Sequence, residues 1–347
     1  MEKIKRIGIL TAGGDCPGLN AAIRAVSKPA IVKYGIEVIG ISSGFSGLIE
    51  KDYILLTEEN LSGILTLGGT ILGTSREKPF KKTSSYYEEI DKPQLIKQNY
   101  EQLGLDCLVC IGGNGTQKTA FKLSQLGMNV IGLPKTIDND IWGTDSTFGF
   151  DSAVNIATEA IDRLHTTANS HRRVMVIEIM GHEAGWITLN AGIAGGGDII
   201  LIPEIDYREE IIADYILKRV AKRPGSTIVV VAEGIRKPEN IGAGEYISKV
   251  ITGLTHLESR VTVLGYVQRG GTPSATDRIL ATRYGTATLD LILERDFGKM
   301  VALIDGHITT LDLANVAGKL KLVPKDHNLI KSAKSLGTCF GEKETIL

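Results

Sequence analysis

Residues 6–23 read RIGILTAGGDCPGLNAAI: a short apolar run, Ile7 to Leu10, closes into Gly13-Gly14-Asp15-Cys16-Pro17-Gly18 and then into the helix-forming Ala21-Ala22-Ile23. A run this short and this continuously apolar fits a strand buried on both faces, and strand, glycine turn, helix is the repeating unit of a parallel sheet. The unit recurs down the chain, with apolar runs at Val38 to Ile41, Leu108 to Ile111, Val130 to Leu133, Val174 to Ile179, Ile199 to Ile202 and Ile228 to Val231. Between them Val154, Ala157, Ile161 and Leu164, and later Ile211, Ile212, Tyr215, Ile216 and Val220, keep helical spacing. The expected fold class is α/β, with mostly parallel sheets flanked by helices and ligand sites on the loops at the carboxyl ends of the strands.

A length of 347 residues predicts two core-bearing lobes at about 150 residues per domain. The first boundary is placed near Phe150, giving lobes over 1–150 and 151–310 and a C-terminal tail over 311–347, placed to pack back on the first lobe. The net charge of −1 supplies no general field for nucleic acid or an anionic membrane. Four scattered cysteines are no disulfide scaffold and fit reduced thiols. The start, MEKIKRIGIL, has no apolar stretch of signal-peptide length, and no uncharged stretch reaches the ~20 residues of a membrane span. The expectation is a cytoplasmic protein.

Glycine supplies 40 of the residues, well above the usual ~7%, and much of it sits where runs end. The Gly13 loop can be an anion cradle, with backbone N–H groups and a helix N-terminus facing a phosphate, or simply a tight turn. A second loop in the same setting, Gly112-Gly113-Asn114-Gly115-Thr116, adds weight to the cradle. Neither completes a Walker A or a G-x-G-x-x-G pattern. A third segment, Pro134-Lys135-Thr136-Ile137-Asp138-Asn139-Asp140, sets two carboxylates two residues apart beside a lysine; in extended backbone they share a face, suited to proton abstraction, although for the segment taken alone an Asx turn is slightly the better account. Arg76, Arg172, Arg173, Arg260 and Arg269 close strands or loops and together suit phosphate oxygens. Gly40-Ile41-Ser42-Ser43-Gly44 matches a nucleophile elbow but is followed by a poor helix start, so a serine hydrolase stays a secondary alternative. Cys107 and Cys110 lie three apart in an apolar run and are expected in the core; His182-Glu183 lacks the second histidine of a zincin.

Taken in order, the Gly13 loop, Gly69-Thr70-x-x-Gly73-Thr74-Ser75-Arg76, Gly112 to Thr116, Pro134 to Asp140, Met180-Gly181-His182 and Gly265-Tyr266-Val267-Gln268-Arg269-Gly270-Gly271 resemble the 6-phosphofructokinase family. The resemblance implies transfer of the terminal phosphoryl group of ATP, with Mg2+, to the 1-hydroxyl of fructose 6-phosphate, giving fructose 1,6-bisphosphate and ADP in glycolysis. It implies a donor lobe at 1–150, a sugar lobe at 151–310, and a homotetramer whose sugar site is shared between subunits. Position by position, it implies Asp138 as the base, Arg76 and Lys135 at the transferred group, and Gly13, Gly14, Glu77, Gly113, Asn114, Gly115 and Thr116 at the donor. For the sugar it implies Thr136, Ile137, Asp140, Met180, Gly181, His182, Glu233, Tyr266, Gln268 and Arg269, with the equivalents of Arg173 and Arg260 supplied by a neighbouring subunit.

The chain departs from the family pattern in four places. Asn114 stands where the usual Mg2+-binding aspartate would be, His182 replaces an arginine and Tyr266 a histidine. Lys135 resembles the residue of pyrophosphate users, whereas Gly115 resembles the ATP users, because an absent side chain leaves room for the α-phosphate. The expectation is ATP, with pyrophosphate as the alternative donor and a weakly active sugar-phosphate sensor as a further alternative. Arg24 and Lys28 match the family's effector site only loosely, and Thr57-Glu58-Glu59 falls where one of its arginines would be, so weak or absent regulation by ADP or phosphoenolpyruvate is expected.

Overall fold

A computed structural model of the chain describes residues 3–81, 91–171, 173–222 and 225–343; Arg172 and the last residues of the tail lie outside them. The chain forms two compact units, Met1–Asp151 with Arg269–Leu320, and Ser152–Gln268 with Lys321–Leu347.

The first unit is built on seven strands: β1 (Arg6–Ala12), β2 (Glu37–Ile41), β3 (Tyr53–Leu56), β4 (Cys107–Gly112), β5 (Val130–Pro134), β10 (Lys299–Ile304) and β11 (His307–Asp312), in the order β11-β10-β5-β4-β1-β2-β3. The inner strands are parallel, and the edges β3 and β11 are antiparallel to their neighbours. β4 and β5 are buried along their whole length, and β1 from its second residue on, which is why they read as unbroken apolar runs. Register matters most for function: Ala12 pairs with Gly112, and Gly112 with Pro134. The loops after β1, β4 and β5 therefore leave the sheet side by side, at the carboxyl edge where the strand order reverses. Cys107 and Cys110 are both buried in β4, and burial raises both thiol pKa values.

Two helices of this unit, Leu19–Tyr34 and Ala275–Glu294, pack closely at Gly285. A Cβ there would stand 2.5 Å from Ala25 Cβ and 3.0 Å from Ala22 O. Gly285→Ala is therefore expected to destabilise the fold by ~1–3 kcal/mol through overpacking, read as a lower Tm.

The second unit holds four parallel strands, β6 (Val174–Ile179), β7 (Ile199–Leu201), β8 (Thr227–Ala232) and β9 (Ser259–Val263), ordered β7-β8-β6-β9. Flanking helices include Phe150–His171 and Glu209–Lys222, which carry the helical spacings seen in the sequence.

The domain expectation needs correction after its first boundary. Residues 269–310, expected in the second lobe, belong to the first unit because β10 pairs with β5. The tail divides: residues up to Leu320 stay with the first unit, whereas Lys321 onward groups with the second, where Cys339 bridges Ile199. A six-residue helix, Phe45–Glu50, also forms where a poor helix start was expected, with Gly44 at φ +63 before it. Among the described residues no histidine hydrogen-bonds Ser42, whose backbone N–H goes to Asp52 O.

Candidate active site

In the first unit the Gly13 loop is fastened from three sides. Gly13 N–H donates to Ser75 O at 2.9 Å, and the Thr74 hydroxyl donates to Gly13 O at 2.7 Å, which draws the segment ending in Arg76 onto the loop. Thr11 strengthens the same join by donating to Gly73 O at 2.7 Å. Arg269 lies over Gly14, where any Cβ would overlap its guanidinium, and its Nη1 donates to Asp15 O at 3.2 Å. The Lys135 ammonium donates to Ala12 O at 3.1 Å and to Gly14 O. Burial lowers the pKa of Lys135; Cys16, Asp15 and Asp138 oppose the fall and Arg269 adds to it. Burial also pushes the Cys16 thiol up to about 12, so it stays protonated and inert.

The second loop opens the helix Asn114–Gln125, with Gly113 as its cap. Gly112 is required because a Cβ would collide with Thr116. At Gly115, by contrast, no described atom beyond its chain neighbours and its own helix backbone lies within 4 Å of a Cβ position, and the backbone is not left-handed. Gly115 is thus demanded neither by packing nor by conformation, and it costs its helix up to ~1 kcal/mol relative to alanine.

The third loop alternates: Ile137, Asn139 and Ile141 are buried, whereas Thr136, Asp138 and Asp140 are half-buried. The Thr136 hydroxyl accepts from Asp138 N–H at 3.1 Å and donates to Asp138 Oδ2 at 3.2 Å. Asn114 Nδ2 donates to Asp140 Oδ2 at 2.7 Å, which ties the third loop to the second.

In the second unit, β6, β8 and β9 end beside one another. Met180 N–H donates to the buried Gln268 Oε1 at 2.8 Å. Glu233 Oε1 accepts from Gly181 N–H at 3.2 Å and from His182 N–H at 2.8 Å, holding His182 at φ +54, an uncommon conformation for a residue with a side chain. Tyr266 is 73% exposed.

Comparison with known proteins places this geometry. The family model described as Phosphofructokinase matches residues 6–292. The chain belongs to the phosphofructokinase family. A Bacteroides thetaiotaomicron relative named ATP-dependent 6-phosphofructokinase 3 is 59% identical, over 97% of this chain and all of that one. A Spirochaeta thermophila relative named ATP-dependent 6-phosphofructokinase is 57% identical, over 97% of this chain and 98% of that one. Among solved structures, Pichia pastoris phosphofructokinase in the T-state superposes with a TM-score of 0.80 at 33% identity, over 91% of this chain and 36% of that longer one.

As a phosphofructokinase-family chain, it brings Gly13, Gly14, Arg76, Gly113, Asn114, Gly115, Thr116, Lys135, Thr136, Asp138 and Asp140 together within the first unit. Glu77 is turned to Lys92, 2.9 Å away. Arg269, expected among the sugar contacts, stands in the first unit on the Gly13 loop. Arg173 and Arg260 share Glu258 at the amino ends of β6 and β9. At ~3.3 Å per residue, β6 separates Arg173 from Met180 by roughly 20 Å, so within one chain they do not join the Met180 loop. Two supports of the site went unread in the sequence. Asn139, at φ +52, accepts from Thr147 N–H at 3.1 Å, and Gln117 Nε2 joins Gly112 O and Leu133 O. An asparagine flanked by two aspartates was the signal for the first, since asparagine tolerates left-handed backbone.

Proposed function

We propose that this chain is an ATP-dependent 6-phosphofructokinase, with Asp138 taking the proton of the 1-hydroxyl of fructose 6-phosphate as it attacks the terminal phosphorus. Its high-identity relatives carry that name, and neither alternative, a pyrophosphate enzyme or a weakly active sensor, is favoured by them. The observation that carries the donor is Gly115: a helix-weakening glycine that the fold itself does not need leaves open space at the cradle, as a nucleotide α-phosphate requires. The Gly13 and Gly113 loops hold the donor phosphates, and Arg76 supplies fixed positive charge to the oxygens of the moving group. Met180, Gly181, His182, Glu233, Tyr266 and Gln268 are the second unit's candidates for holding the sugar.

Mg2+ fits these residues as an ion carried mainly by the donor. Among the described residues no three histidine, cysteine or acidic side chains cluster as a metal site. Asn114 Oδ1, however, is buried without a hydrogen-bond partner, and Mg2+ commonly keeps water and phosphate ligands with few from protein. Asn114, and Asp15 on the adjoining loop, would hold its outer water; the ion, when bound, neutralises phosphate charge. The placement of Arg173 and Arg260 supports a homo-oligomer, a tetramer by family resemblance, in which a neighbour completes the sugar site. We assign the chain to the cytoplasm on its resemblance to glycolytic kinases; among the described residues no helix is long and apolar enough to cross a membrane.

The test is turnover of fructose 6-phosphate with ATP and with pyrophosphate, side by side, over a series of Mg2+ concentrations. ATP is expected to serve with Mg2+ present. Gly115→Asp, which sets a carboxylate in the open space, is expected to lower kcat/KM for ATP at least about tenfold. Transfer from pyrophosphate alone, or tight sugar binding with no transfer, would overturn the assignment.

A further inference from the structure

Lys135 is the first residue beyond β5 and is only 2% exposed. A buried ammonium ordinarily faces a carboxylate, yet among the described residues Lys135 forms no ion pair, and its hydrogen bonds go to the main-chain oxygens of Ala12 and Gly14. These oxygens flank Gly13, whose φ of +85 curls the turn and brings its Cβ position to 3.8 Å from Nζ. Backbone carbonyls gathered around a compact monocation are the way proteins hold free monovalent ions; here the ion is on a side chain. Gly13 N–H is engaged by Ser75 O at 2.9 Å, so on the donor-binding reading the main-chain donor this turn offers a phosphate is the next one, Gly14 N–H.

We propose that Lys135 is a positioning residue, a tethered monovalent cation that gathers the carbonyls of Ala12 and Gly14 and so sets the shape of the donor turn. The inference rests on the donor-binding reading of that turn. Burial, which lowers the pKa of this ammonium, accords with a group placed for its contacts inside the fold rather than for exchange with solvent.

The role makes a particular demand: a soluble ammonium ion must replace the side chain. Lys135→Ala leaves a space between the two carbonyls. In sodium buffer it is expected to raise the KM for ATP at least about tenfold, from the loss of two charged hydrogen bonds, with the KM for fructose 6-phosphate within about twofold of the parent. Ammonium or methylammonium chloride is expected to recover most of the loss; sodium or tetramethylammonium chloride at equal ionic strength is not. The same ammonium salts are expected to raise the Tm of K135A and not that of the parent, because only the variant has the space to bind them. Lys135→Met fills the space without charge, so it is expected to raise the ATP KM with no recovery by any salt; it also serves if K135A does not fold. A parental ATP KM in K135M, or a K135A defect that ammonium recovers in neither KM nor Tm, would overturn the proposal. If the parent itself transfers nothing from ATP, the kinase reading fails, and the ammonium-specific Tm shift of K135A still decides the role of Lys135.

Discussion

Asp138→Ala is expected to lower kcat by about 10²–10⁴-fold, the usual contribution of a positioned general base, in a coupled assay of ADP release at saturating ATP, sugar and Mg2+. The side chain is half-buried on the loop after β5 and receives the Thr136 hydroxyl at 3.2 Å. Its loop is also held by bonds that do not involve this carboxylate: Asn139 accepts from Thr147 N–H, and the Thr147 hydroxyl donates to Thr136 O at 2.8 Å. The variant should therefore keep its Tm while losing turnover, with kcat and kcat/KM falling together, as for an interaction made only in the transition state. Near-parental turnover would remove Asp138 from the chemistry.

Arg76→Ala is expected to reduce kcat by about 10²–10³-fold, the scale of one preorganised donor at a centre of developing charge, while changing stability by no more than about 0.5 kcal/mol. The contrast arises because Arg76 is exposed and has no hydrogen bond or ion pair among the described residues, whereas its neighbour Glu77 pairs with Lys92. Only its backbone is held, through the bonds of Thr74 and Ser75 to Gly13. Lysine at 76 should recover part of the rate, since it restores charge without the planar fork. Thermal denaturation beside the kinetic assay checks both halves; a fall in Tm matching the fall in rate would make Arg76 structural.

How much of this could be read from the residues depended on burial. β4 and β8 are buried throughout, so CLVCIG and TIVVVA stand out as apolar runs. β9, SRVTV, is an edge strand of exposed or half-exposed residues and leaves no comparable run; β3, YILL, is an edge strand whose sequence is apolar although three of its four residues are exposed, so its run does not report burial. β10, KMVALI, is apolar, but nothing local tells a strand which sheet it will join, and its partner β5 is far away in the chain. At the site, the glycines and acids were legible by type and spacing. The glycines and acids also have partners that spacing does not announce: Gly14 makes room for Arg269, and Glu233, expected at the sugar, accepts from the backbone N–H groups of Gly181 and His182. Those partners are distant in sequence, and spacing carries no trace of them.

The return of β10 to β5 has a consequence for the newborn chain. During synthesis the outer edge of β5 emerges with its hydrogen-bonding groups bare and stays so until Lys299–Ile304 follow, on the order of ten seconds or more at about 5–20 residues per second. Through that interval the seven-stranded sheet lacks its border, and a bare apolar edge invites pairing with other nascent chains. A ribosome stalled between the two segments would display a half-finished sheet, which makes the pace of translation across the second unit part of how this protein reaches its native state.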